Sequence, residues 1–150
     1  MRKVGSSNTA PELLVRRLLH RAGYRFKLYG SDLPGNPDIV LPKYRAIILV
    51  HGCFWHRHKK CSEATTPKSN VPYWEAKFAR NENRDRRIKR DLIRLGWRVI
   101  TVWECQTKDP VRLLAKLKKA LPRSYPDQKK DVVLLAAEAG GKYVRKPKRA

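Results

Sequence analysis

Two of the three cysteines and three of the four histidines of this chain fall in one short stretch, His51-Gly52-Cys53-Phe54-Trp55-His56-Arg57-His58-Lys59-Lys60-Cys61. Cys53-x4-His58-x2-Cys61 has the close ligand spacing of a zinc site, and Cys105, far downstream, completes a Cys3His set. Thiolate and imidazole donors in that number suit a closed tetrahedral Zn2+ centre, which has no open position and so serves structure, not catalysis. The competing reading, three buried cysteines and an exposed histidine, fits the spacing less well.

His51 and His56 stay outside that set. Asp38 lies upstream, directly after Pro37. An aspartate can hold Mg2+ against a phosphate, and a histidine can take a proton from an attacking water. Together they make a phosphodiester-hydrolysis constellation, although an aspartate at such a position is as often a solvated turn residue. Phe54 and Trp55 sit between the candidate ligands. Two adjacent aromatics are commonly core; beside a polar cluster they can instead form a wedge that enters a base stack.

The elements that must position these groups can be read in order. Thr9-Ala10-Pro11-Glu12 has the form of a capping box, with Leu14, Val15, Leu18, Leu19 and Ala22 following at helical spacing and Gly23 as the stop. Glu12 is thereby explained by capping alone. Tyr24 to Tyr29 alternates apolar and basic residues and predicts a half-buried strand. Residues 33–37 and 42–45 read as turns, placing a strand over 38–41 antiparallel to the apolar run 46–50. The run 46–50 would deliver the reactive cluster at its end. A polar loop over 62–72 leads to a long basic helix from Tyr73 to Leu95, ended by Gly96. A second alternating strand spans 97–103 and a final helix 110–121. Residues 1–8 and the stretch after Pro122 are expected to be flexible, with a short helix possible over 132–139.

The net charge is +22, from 35 basic and 13 acidic residues; residues 122–150 contribute eight and three of these, which leaves +17 in residues 1–121. The charge therefore belongs to the body and points to a polyanion, nucleic acid first. The basic run around Arg84, Arg86 and Arg87 is usually a solvated face, but its sign suits a phosphate backbone. No long apolar span argues for a membrane, and Met1-Arg2-Lys3 leads into polar residues, not into a secretory leader. Three cysteines in a chain without a leader favour metal or free thiols over disulfides.

These residues resemble the very-short-patch repair endonucleases of bacteria. The resemblance runs from about Ser7 to about Leu121. It is carried by Asn8-Thr9-x-Pro11-Glu12, Asp32-Leu33-Pro34-Gly35-x-Pro37-Asp38, Tyr44-Arg45, His51-Gly52-Cys53-Phe54-Trp55-His56, Asn83-Arg84-Asp85-Arg86-Arg87, and Leu95-Gly96-Trp97-Arg98-Val99 through Val102-Trp103-Glu104-Cys105. The resemblance implies an α/β fold, a mixed central sheet flanked by helices in the restriction-endonuclease manner, with a structural zinc site. It implies a Mg2+-dependent enzyme that nicks double-stranded DNA 5′ of the thymine in T:G mismatches left by deaminated 5-methylcytosine. By the same resemblance Asp38 is the metal-binding aspartate and Val50 offers its backbone carbonyl to the magnesium, although some members carry threonine there. His56 acts on the attacking water, His51 and Asp85 are further active-site residues, and Glu12 is an acidic residue near the metals. Cys53, His58, Cys61 and Cys105 are the structural zinc ligands; some members have one residue, not two, between the second and third. Phe54, Trp55 and Trp74 insert beside the mismatch; the sign of the basic run, apart from the resemblance, adds Arg84, Arg86 and Arg87 as expected DNA contacts.

The expectation is thus a monomeric, cytoplasmic, nucleoid-associated enzyme, with residues 1–121 as the endonuclease domain and 122–150 as a basic tail. Other repair proteins and a cognate cytosine-5 methyltransferase are the further partners implied. Two alternatives stand beside it: a restriction-type nuclease that cuts an intact site, and a zinc-stabilised DNA-binding protein without catalysis. The last has no need of Asp38 and His56.

Overall fold

The computed structural model describes residues 8–122. The expectations for residues 1–7, for the basic tail and for a helix over 132–139 lie outside the described residues.

Chain order is α1 (Ala10–Arg21), β1 (Lys27–Leu28), β2 (Ile39–Leu41), β3 (Ala46–His51), α2 (Val71–Arg94), β4 (Arg98–Trp103) and α3 (Pro110–Ala120), with 3-10 turns at Pro42–Tyr44 and Glu104–Lys108. The four strands form one mixed sheet in the order β1-β2-β3-β4. β2 and β3 make the expected antiparallel hairpin, with Ile39 opposite Ile48 and Leu41 opposite Ala46. β3 and β4 are joined through α2 and run parallel, with Val50 opposite Val102 and His51 opposite Trp103.

Strand alternation divides the core into two layers. Ile39, Leu41, Ala46, Ile48 and Val102 face one side, where Val15 and Leu19 of α1 and Leu113 and Leu117 of α3 cover them. Val40, Ile47 and Leu49 face the other side and meet Leu92 of α2, Leu33 and Trp97. A run of apolar residues without polar alternation is what a strand covered on both faces requires. Helices on both faces make this a mixed α/β fold of three layers.

Three local expectations are corrected. The strand foreseen over 24–29 shrinks to Lys27–Leu28. Tyr24 instead turns inward, is buried and donates its hydroxyl to the Leu121 carbonyl at 2.7 Å, while Tyr29 adopts a left-handed backbone (φ 52°) that ends the extended run. Thr9 does cap α1, accepting the Glu12 N–H at 3.4 Å. Glu12, however, does not return to the Thr9 N–H; its carboxylate accepts from the Asn8 N–H at 3.0 Å and from Arg16 at 3.3 Å, so the box closes one residue early. Finally, Trp97 lies outside β4. It is buried beneath α2, with the Arg45 guanidinium 4.8 Å from its ring centroid.

Arg45 itself is buried in a left-handed turn and donates to the carbonyls of Gly96 (3.3 Å) and Leu95 (3.0 Å), answering orphan acceptors at the end of α2. Gly35 holds the 33–37 turn against α2. Its φ is +74°, and an added Cβ would lie 2.5 Å from Ile88 Cγ2.

Candidate active site and metal centre

Parallel pairing of β3 with β4 places the C-terminal ends of both strands at one edge of the sheet, and both clusters stand there. Cys53, His58 and Cys61 follow β3; Cys105 follows β4. Their four donor atoms all lie within 4.8 Å of one another. His58 Nδ1 is 3.7 Å from Cys53 Sγ and 3.4 Å from Cys105 Sγ. Ligands of a tetrahedral Zn2+ with Zn–N near 2.0 and Zn–S near 2.3 Å stand about 3.3–3.8 Å apart, so both His58 distances match that spacing and the set is compatible with zinc. The His58 ring stacks on Trp103 at 4.2 Å and 12°, and the Cys105 N–H donates to Cys53 Sγ at 3.4 Å. Such outer contacts hold ligands in place. Burial pushes the Cys53 thiol up to about 12; a bound cation would reverse this and bind the thiolate.

The second cluster lies in a cleft of about 940 Å3 between the β2–β3 hairpin, the start of α1 and one face of α2. Asp38 stands just before β2, and its Oδ2 accepts the Val50 N–H at 2.8 Å. Burial raises the Asp38 carboxyl to about 6, against the lowering by that hydrogen bond; the nearby Glu12 charge adds to the rise. Glu12 is buried behind it and lines the same cleft. His56 Nδ1 is 2.6 Å from Asp85 Oδ2, joining the loop after β3 to α2. His51 stacks face to face on His56, with centroids 3.9 Å apart and planes within 6°, and meets Trp103 edge-on at 5.4 Å. Burial, followed by the neighbouring His56 charge, lowers His51 to about 4, so its imidazole is neutral near pH 7.

The lining of this cleft runs against the charge of the whole. It includes four carboxylates, of Glu12, Asp38, Asp85 and Glu104, against the two cations of Lys77 and Arg84, in a chain whose net charge is +22. Acids gathered where phosphates would enter a basic body need a cation between the two.

Phe54, Trp55, Trp74 and Phe78 pack edge-to-face or tilted in one cluster, with neighbouring centroids 5.1–6.0 Å apart. Phe78 is buried and Phe54 half-buried, whereas Trp55 is 40% exposed at the cleft wall. The cluster is therefore anchored at one end and open at the other. Arg57 braces it from behind, 4.2 Å from the Phe78 ring, while donating to the Thr65 carbonyl and the Thr66 hydroxyl.

Of the three arginines expected to meet DNA, Arg84 lines the cleft; Arg86 and Arg87 are exposed on α2 outside its lining. Lys77 and Asn81 were missed by sequence reasoning. The Lys77 ammonium lies 5.0 Å from the Trp55 ring centroid, and Asn81 donates its side-chain amide to the Trp55 carbonyl at 3.1 Å. Both share the cleft face of α2 with Asp85, at helical spacing back from it, and stepping back four and eight residues from Asp85 finds them. Arg16 was also passed over. It donates to Glu12, to the Tyr29 hydroxyl at 2.7 Å and to the Asn8 side chain at 2.9 Å, and so anchors the acidic end of the cleft.

Comparison with known proteins finds relatives over most of the chain. Residues 1–63 match the family model described as DNA mismatch endonuclease Vsr. The chain is 48% identical over 124 residues to the type II nicking enzyme V.XorIIP of Xanthomonas oryzae pv. oryzae, covering 83% of this chain and 90% of that one. It is 38% identical over 128 residues to the type II nicking enzyme V.NmeAIP of Neisseria meningitidis serogroup A, covering 81% and 91%. It is 40% identical over 113 residues to the DNA mismatch endonuclease Vsr of Escherichia coli K12, covering 75% and 72%. No helix among the described residues is long and apolar enough to cross a membrane. With these relatives and this cleft together, the chain belongs to the Vsr family of DNA mismatch endonucleases.

Proposed function

We propose that the chain is a Mg2+-dependent endonuclease that nicks one strand of duplex DNA on the 5′ side of the thymine in a T:G mismatch, leaving a 5′-phosphate and a 3′-hydroxyl. The observation that carries this is the acidic floor around Asp38 in a strongly basic protein, with an exposed tryptophan on the same cleft wall. The relatives, a mismatch endonuclease and nicking enzymes, favour a single-strand cut over a double-strand one.

In this reading Asp38 and the backbone carbonyl of Val50 hold Mg2+, which supplies Lewis acidity and charge neutralisation at the scissile phosphate. The remaining work falls to the chain itself. His56 takes the proton of the attacking water, and Asp85, 2.6 Å from its Nδ1, holds the ring in one tautomer and orientation. His51, neutral and flat against His56, keeps that ring from swinging and adds no positive charge beside it. Glu12 keeps the Asp38 end of the cleft negative. Trp55, backed by Phe54 and Trp74, wedges beside the mismatch, where unstacking a T:G pair costs less than unstacking a matched one. Arg84 answers backbone phosphate, with Arg86 and Arg87 adding long-range attraction.

Cys53, His58, Cys61 and Cys105 are assigned to a structural Zn2+ that ties the end of β3 to the end of β4. Helices on both faces of a mixed sheet support a restriction-endonuclease-like fold. Residues 1–121 are taken as the endonuclease domain, acting as a monomer, with a cognate cytosine-5 methyltransferase and other repair proteins as its working context. A nicking assay on otherwise identical matched and T:G duplexes, with Mg2+ and with chelator, tests the proposal. Mg2+-dependent nicking of the T:G duplex alone is expected. Equal cutting of the matched duplex would instead support a restriction-type nuclease, and tight binding without cutting a non-catalytic DNA-binding protein.

A further inference from the structure

Among the described residues one tryptophan ring meets a histidine of each cluster. The Trp103 ring lies flat on His58, with centroids 4.2 Å apart and planes within 12°, and meets His51 edge-on at 5.4 Å and 74°. His51 in turn lies flat on His56. These contacts form an unbroken row, His58–Trp103–His51–His56, from the Cys3His set to the histidine that the reading above makes the general base. We propose that Trp103 is a positioning residue for catalysis, which braces His51, and through it the His56 ring, against the His58 imidazole of the structural zinc centre. The catalytic half of this proposal rests on the role given above to His56.

Packing of the core does not explain this ring. Trp103 is half-buried and belongs to neither layer of the core. Its place follows from the sheet instead. In-register pairing of β3 with β4 sets Trp103 directly beside His51. Strand alternation turns both side chains to the face of Ile47, Leu49 and Val99, which α2 covers. Asp85 reaches His56 from that same helix. The backbone is tied down as well: the Trp103 N–H donates to Gln106 Oε1 at 2.9 Å, and the Lys116 ammonium donates to the same oxygen at 3.2 Å. Beyond the ring the chain serves both clusters in turn, since Glu104 lines the cleft and Cys105 is one of the four Cys3His donors.

The row supplies what the Asp85 contact lacks. A hydrogen bond at Nδ1 fixes one point of the His56 ring and leaves the ring free to rock about it. A second ring against its face stops that motion, provided the second ring is itself held. Trp103 holds His51, and His58 backs Trp103. An imidazole committed to a metal is a firmer backing than a free side chain, because coordination fixes its torsions. Such precision matters, since displacing a reacting group by about 1 Å can cost roughly 10²-fold in rate.

The test uses the full chain loaded with zinc and two substitutions. Trp103→Leu keeps apolar bulk without a flat face; Trp103→Phe keeps the face. Zinc content and melting temperature come first, and both variants should hold one zinc per chain. Ring-nitrogen NMR shifts, read without DNA at about pH 8 where an ordinary histidine is neutral, then report the His56 tautomer. Wild type and Trp103→Phe should show one tautomer, and Trp103→Leu two in exchange. The single-turnover nicking rate on a T:G duplex should fall roughly 10–100-fold in Trp103→Leu with DNA affinity unchanged, and no more than about threefold in Trp103→Phe. In a His51→Ala background Trp103→Leu should cost almost nothing further, because the row is already cut. Zinc loss or unfolding of Trp103→Leu would make the ring part of the fold and overturn the proposal. A His56 signal that ignores the leucine, or a loss that multiplies with that of His51→Ala, would overturn it too. A chain whose His56 tautomer obeyed Trp103 yet never nicked DNA would sink the activity assigned above while upholding the brace.

Discussion

The Asp38 carboxylate accepts the Val50 backbone N–H at 2.8 Å, across the β2–β3 hairpin. The bond points the carboxylate into the cleft from the end of a strand, and burial holds its pKa near 6. Asp38→Ala is expected to abolish nicking while DNA binding survives or tightens, since one negative charge near the phosphates is gone. Nicking at the wild-type rate by that variant would end the assignment of Asp38 to the metal.

The raised pKa also sets a pH dependence. A carboxyl whose folded pKa, about 6, exceeds its ordinary 3.8 contributes stability that is complete below 3.8 and is lost as pH rises through about 6. Without Mg2+ the wild type should therefore lose melting temperature relative to Asp38→Asn over that window. With Mg2+ the sign reverses in activity. The ion needs the ionised form, so the rate should climb through about pH 6 at low Mg2+, and the midpoint should move to lower pH as Mg2+ increases. A midpoint indifferent to Mg2+ would mean that another group controls the limb.

His56 and Asp85 are expected to behave as a pair. His56→Ala should slow nicking by about 10²–10⁴-fold, the usual worth of a general base, without unfolding the chain. Asp85→Asn should slow it less, since the imidazole remains, and adding His56→Ala to it should cost little more than His56→Ala alone. Independent, multiplying losses in single-turnover rates would show that the 2.6 Å contact does not orient the base.

His58 lies two residues from His56 and is assigned to structure. Cys61→Ala, Cys105→Ala or His58→Ala should remove near-stoichiometric zinc and lower stability by several kcal/mol, as loss of a structural zinc does. Metal analysis with thermal melts checks this. Stable wild-type protein free of zinc would remove the centre from the account.

The aromatic cluster separates two roles that adjacent residues might be thought to share. Trp55 is 40% exposed, so Trp55→Ala should leave stability within about 0.5–1 kcal/mol of wild type yet reduce the preference for mismatched over matched duplex. Phe54 is half-buried against Trp74 and Phe78. Its loss should cost about 2–4 kcal/mol as well. Equal effects of both substitutions on matched and mismatched binding would mark the cluster as core.

What the amino-acid order determined by itself is local chemistry and local geometry. The ligand spacing Cys53-x4-His58-x2-Cys61, the hairpin formed by 38–41 and 46–50, the Thr9 cap and the long helix before Gly96 are all set by neighbours in sequence, so periodicity and turn residues expose them. The short life of β1 was not legible, because it depends on a hydroxyl reaching Leu121 from Tyr24. Nor was the face of α2 that matters: Lys77, Asn81, Arg84 and Asp85 are selected from the many polar positions of a basic helix by which side packs toward the cleft. Only the tertiary structure decided that β3 and β4 run parallel. That one choice places Cys105 beside Cys53 and Trp103 behind both His51 and His58. Pairing of distant strands is a long-range balance of burial against chain entropy, and no short window of sequence carries it.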